Sequence, residues 1–172
     1  MSGRGVRTRA PARARVRNIS ELAVIVQFGD LVVALPAHRV SRIVLASEVV
    51  AVSVRGPTPH VQIGGHAFPA WDMGQMLGLG GVPAAWLIMR TTDDPGAPEI
   101  ALGTGPCVAI AAHDVVAPLP YGVVTAPHAA VLGVFATDAA LRARGVGELG
   151  VRVDPVRLIG ASALDAVSRS GP

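Results

Sequence analysis

The residues that could do chemistry in this chain are few and scattered. The histidines are His38, His60, His66, His113 and His128, and no two stand at the spacing of a metal-ligand pair. His66 follows Gly64-Gly65. A histidine at such a turn tip is most simply a solvated one. Cys107 is the single cysteine and lies among apolar residues, which makes it an inert core thiol. One cysteine permits neither an intrachain disulfide nor a thiolate metal site. Gly103-Thr104-Gly105 resembles a piece of a phosphate loop, but it lacks the GxGxxG spacing, a following helix and a lysine. Asp93-Asp94 falls in a turn and makes a poor acid–base pair. Asp72 and Asp154 are the best-placed carboxylates, and helix capping accounts for both. No G-x-S-x-G nucleophile turn occurs. The expectation is a protein with no catalytic residues, no metal and no cofactor.

The elements that position these residues centre on Ile63–Gly80, IGGHAFPAWDMGQMLGLG. A Gly64-Gly65 turn leads into a strand with Phe68, Ala70 and Trp71. Asp72 then starts a helical turn whose Met73, Met76 and Leu77 share a face. Pro69 has no N–H to give, so it belongs at an edge or bulge. The same switch returns at Leu149–Gly160, where LGVRV runs into Asp154, Pro155 and a short helix closed by Gly160. Two such punctuations suggest two related halves.

The rest of the chain reads as short strands. Glu21–Phe28 and Leu31–Leu35 flank Gly29-Asp30, the signature of a hairpin with a type II′ turn. Val40, Ile43 and Val44 repeat at helical spacing and predict a helical turn. Strands follow at 49–54, 85–91, 100–102, 107–111 and 131–136. A helix is expected over Thr137–Arg144, capped by Thr137 and closed by Gly145. Residues 118–127 read as an irregular connection, and 161–169 as a frayed helix. No strand is followed by a long amphipathic helix, which argues against a doubly wound nucleotide fold. Many short strands with regular turns suggest small barrels.

Composition bounds the class. The chain has 172 residues, 51% hydrophobic and 3% aromatic, so its core of Val and Ala reads as β-rich and finely packed. All fifteen basic residues are Arg, as a GC-rich genome would favour. No apolar run reaches the roughly 18 residues of a membrane span. The nearest, Leu22–Leu35, is broken by Gly29-Asp30. Polar residues also interrupt any signal-peptide core, and the cytosol is the expected compartment.

Residues 1–19 form a separate, disordered tail. Its arginines are Arg4, Arg7, Arg9, Arg13, Arg15 and Arg17, with no acid among them. Without those six charges the net +3 of the chain becomes −3, so its basicity is a tail property. The tail reads first as a solvated leader. Its second reading is a weak, sequence-independent tether to nucleic acid through those arginines.

Three segments together resemble the chemotaxis coupling protein (CheW) domain. They are FGDLVVALPAHRVSRIV, then VQIGGHAFPAWDMGQMLGL, then LGVRVDPVRLIG. Their order and spacing from Ala23 to Gly160 carry the likeness. The resemblance implies a mainly β fold of two small SH3-like barrels in one domain over 20–172, the first about 20–80 and the second about 84–160. It implies a non-catalytic adaptor in chemosensory signalling. The partners would be the regulatory domain of a CheA-like histidine kinase and the tip of a methyl-accepting chemoreceptor. Matched to the family pattern, Val40, Ile43, Gly64, Gly65, His66 and Phe68 become candidate partner contacts, with core packing the plainer role for Val40, Ile43 and Phe68. The chain departs from the pattern at Gly64, where the family carries an arginine, and at an insertion over Thr137–Gly147.

Overall fold

The computed structural model describes residues 21–52, 58–113 and 130–160. The expected tail, the 118–127 connection and the C-terminal helix lie outside the described residues. The chain opens with β1 (Glu21–Phe28) and β2 (Leu31–Pro36), paired antiparallel from Ala23–Pro36 to Phe28–Leu31. Gly29 takes φ +57° at the first turn position, and among the described residues no non-glycine residue has positive φ. That pattern fits the type II′ turn expected from Gly29-Asp30. A 3-10 turn at Ala37–Arg39 leads to β3 (Val40–Leu45), and another at Ala46–Glu48 to β4 (Val49–Val52). Then come β5 (His60–Ile63), β6 (His66–Asp72), α1 (Met73–Met76), β7 (Ala85–Arg90), β8 (Glu99–Thr104) and β9 (Cys107–His113). The series closes with β10 (Val131–Ala136), α2 (Ala139–Ala143), β11 (Leu149–Val153) and α3 (Pro155–Ile159).

Two curled sheets result. The first has the order β10-β11-β2-β1-β9 and the second β3-β7-β8-β6-β5-β4. β3 and β4 stand at opposite ends of the second sheet, yet only Ala46–Glu48 join them. The sheet must therefore curl until its ends meet. Val44 of β3 accordingly packs in one cluster with Val61 and Ile63 of β5. The architecture is mainly β, with two barrel-like subdomains.

The sheets do not divide where a break at 80–84 would put them. The first sheet takes β1 and β2 from the start of the chain and β9 to β11 from its end, enclosing the second sheet in sequence. The physical reason is the β1–β2 hairpin, which has two open edges. β9 fills one by pairing with β1, and β11 fills the other by pairing parallel with β2.

Strand parity explains why so much of the chain is apolar. Val24, Val26, Val33 and Leu35 point from β1 and β2 toward Leu87, Met89, Ile100 and Leu102 of β7 and β8. The alternate residues, Ala23, Ile25, Val32 and Ala34, pack instead around Phe135. On the far side of β7 and β8, Ile88 and Ala101 join the cluster of Val44, Val61 and Ile63. Both central hairpins are thus covered on both faces, and three apolar layers run through the molecule. A strand covered on both faces needs a continuous apolar run rather than an alternating one.

Val40–Val44 does not form the expected helical turn; it is strand β3. Spacing i, i+3, i+4 is ambiguous over five residues. Here pairing with β7, from Val40–Met89 to Leu45–Ala85, decides the outcome. The cap of α2 is Asp138, not Thr137. Asp138 Oδ1 accepts from the Leu141 N–H at 2.8 Å, while the Thr137 hydroxyl donates to the Gly147 carbonyl at 2.6 Å.

The two strand–Asp–helix switches do correspond. Asp72 Oδ1 accepts the Gln75 N–H at 3.2 Å, and Asp154 Oδ1 accepts the Val156 N–H at 3.0 Å. Each preceding strand makes a parallel pairing, β6 with β8 and β11 with β2. Pro69 precedes the first β6–β8 pair at Ala70, so its missing N–H costs no ladder bond on that side. Asp154 also lies 3.6 Å from Arg157 and 3.8 Å from Arg39. Asp154→Ala is expected to lower the unfolding free energy by roughly 1 kcal/mol, and Asp154→Asn by only a fraction of that, since Asn also caps. Urea unfolding of the three proteins checks this.

Candidate partner-docking surface

The β5–β6 hairpin turns at an exposed tip. Ile63 pairs with His66, so Gly64 and Gly65 are the two turn residues. Their φ angles are +57° and +84°, the double positive that a type I′ turn requires. Gly64, Gly65 and His66 are all exposed. No side chain is set within 4 Å of a Cβ placed on Gly65. At Gly64 such a Cβ would lie 3.9 Å from Arg42 Nη1. The curl of the sheet therefore lays the Arg42 guanidinium, from the far edge strand β3, over the bare turn.

β3 supplies the flank of this surface. Val44 points into the barrel, so Ile43 and Leu45 point outward, 38% and 60% exposed. Val50, on the neighbouring β4, is 62% exposed. The candidate contacts separate accordingly. Gly64, Gly65 and His66 form one tip, and Ile43 lies on the outward face of β3. Val40 is half-buried against the layer between the barrels, and Phe68 is half-buried against the core of the second barrel.

Two further features had no legible signal in sequence. The first is a charged cluster beside the join of the two sheets. Asp93 Oδ1 lies 2.7 Å from Arg39 Nε and 2.9 Å from His38 Nε2. The Arg39 hydrogen bond, then that of His38, holds the Asp93 carboxyl below its ordinary range. These residues, with Arg152 and Asp154, line a pocket of about 180 Å³. Both ends of the His38–Asp93 contact are exposed, so its weight is that of an ordinary surface pair. More than fifty residues separate the partners in sequence. The second feature is a cleft of about 470 Å³ lined by Pro59, His60, Trp71, Met76, Pro83 and Trp86, among others. Trp71 also packs on the layer between the barrels and Trp86 on the core of the second, so both tryptophans are structural.

Cys107 and the Gly103–Gly105 segment are packing elements, while the His113 side chain and His128 lie outside the described residues. Cys107 is half-buried against the layer between the barrels, and burial pushes its thiol pKa up. The Thr104 hydroxyl is buried and faces the Gly105 carbonyl at 2.9 Å and the Ala85 carbonyl at 3.4 Å. A Cβ on Gly103 would press into Pro83 and Trp86. Gly103-Thr104-Gly105 is therefore a close-packed crossing of chains rather than a phosphate cradle. Among the described residues, no three His, Cys, Asp or Glu side chains gather as a metal site, and no helix is long and apolar enough to cross a membrane.

Two curled β subdomains that share an apolar layer define a two-barrel β fold. Its structural likeness is to the scaffolding protein CheW from Thermoanaerobacter tengcongensis, at a TM-score of 0.63 and 16% sequence identity, over 84% of this chain and 96% of that one. The chain thus has a CheW-like fold. No known family model matches its sequence, and no curated protein does.

Proposed function

We propose that the protein is a non-catalytic adaptor of a chemosensory pathway, docking a CheA-like histidine kinase and a chemoreceptor tip. The observation that carries this reading is a likeness to a scaffolding protein that spans nearly all of that chain. The partner surface in this reading is the Gly64–His66 tip with the outward face of β3. Small exposed strands and turns suit such work, because backbone groups and adjoining apolar side chains together hold an extended or helical segment. Docking of this size is expected to be weak and to gain strength from arraying.

Calorimetric titration against the kinase regulatory domain encoded nearest its gene tests the reading. The full chain is expected to bind in the micromolar range, and removal of residues 1–17 to leave affinity within about twofold. Loss of binding on tail removal would move the interface to the arginines. Steeply salt-dependent DNA binding that vanishes with the tail would then favour a nucleic-acid tether.

A further inference from the structure

We infer that Arg42 is the specificity-determining residue of this docking surface, and that its partner is a carboxylate on an acidic segment of the kinase. The inference rests on the adaptor reading and names the chemistry of the same site. Its first support is position. Arg42 Nη1 sits 3.9 Å from where a Gly64 side chain would begin, so the guanidinium covers a turn with no side chains of its own. The second is that Arg42 is exposed and makes no hydrogen bond or ion pair among the described residues. By contrast, Arg39 contacts Asp93 and Asp154, Arg90 donates to the His38 carbonyl, and Arg157 contacts Asp154. The third is its surroundings. His66, also exposed, adds an imidazole at the same tip. Glu48, which precedes the Val49–Ile63 pair, makes no ion pair with Arg42. A planar guanidinium left unpaired is complementary to a carboxylate, which it can hold through two parallel hydrogen bonds.

The test uses the full-length chain and the same kinase regulatory domain as the probe. Arg42→Ala is expected to weaken binding about tenfold, Arg42→Glu further, and both to flatten the fall of affinity with salt. Thermal midpoints should stay unchanged, because no internal partner is lost. Arg42→Lys should keep the salt dependence and lose part of the affinity. Adding Gly64→Arg to Arg42→Ala should recover binding by returning the cation from the turn itself. Arg42→Ala within twofold of wild type, with an unaltered salt slope, overturns the inference alone. Failure of the wild-type chain to bind overturns the adaptor reading and this inference with it.

Discussion

Phe135→Ala is expected to lower the unfolding free energy by about 3–5 kcal/mol. Phe135 is fully buried, in a chain with only three phenylalanines. Its ring fills the first barrel against Ala23, Ile25, Val32, Ala34, Leu141 and Val146. Four of those six neighbours are Ala or Val, which can do little to fill the vacancy, so the cost belongs toward the upper end of that range. Gly150 is cut to fit the ring: its φ is not positive, but a Cβ there would overlap the Phe135 ring atoms. Gly150→Ala is thus excluded by space rather than by backbone conformation. Urea denaturation at constant m-value reads the effect. A loss below about 1 kcal/mol would mean that the ring does not fill the barrel.

Gly105→Ala carries the second large effect, roughly 3 kcal/mol or more. A methyl group at this position would overlap the carbonyl of Gln27 on β1. That contact is backbone against backbone, and no rotamer can relieve it. The same crossing holds the Gln27 N–H on the Pro106 carbonyl at 3.1 Å, next to the register shift between Ile25 and Val26. Relief therefore requires β1 to move, and β1 contributes to two of the three apolar layers. Thermal unfolding of Gly105→Ala beside Gly96→Ala separates close approach from ordinary glycine effects, since Gly96 meets only a side-chain oxygen at 3.6 Å. Equal midpoints for the two variants would contradict the close crossing.

Much of the architecture was legible because it is written in local chemistry. Gly29-Asp30 and Gly64-Gly65 specify hairpins through positive φ, and Asp72 and Asp154 specify helix starts through their side-chain oxygens. What failed was decided at long range. Val40, Ile43 and Val44 carry a helical spacing, and only the edge of β7 makes them a strand. Barrel membership could not be read from chain order, because β11 inserts beside β2 across more than a hundred residues. Thr137 and Asp138 are both good caps, and local sequence does not rank them. The candidate surface shows the same division. The Gly64–His66 tip is legible as a turn, whereas Arg42 is an isolated charge in an apolar run until the sheet curls and sets it over Gly64.

The central claim is that this two-barrel protein couples a receptor to a kinase. The direct measurement is the autophosphorylation rate of the kinase encoded nearest its gene, mixed with receptor-bearing membranes, with and without the full chain. The adaptor account predicts that the receptor alters the rate only when this protein is present. It further predicts that Arg42→Glu removes that dependence while leaving the kinase's own rate unchanged. A rate indifferent to the protein, at concentrations well above its dissociation constant for the kinase, would contradict the account.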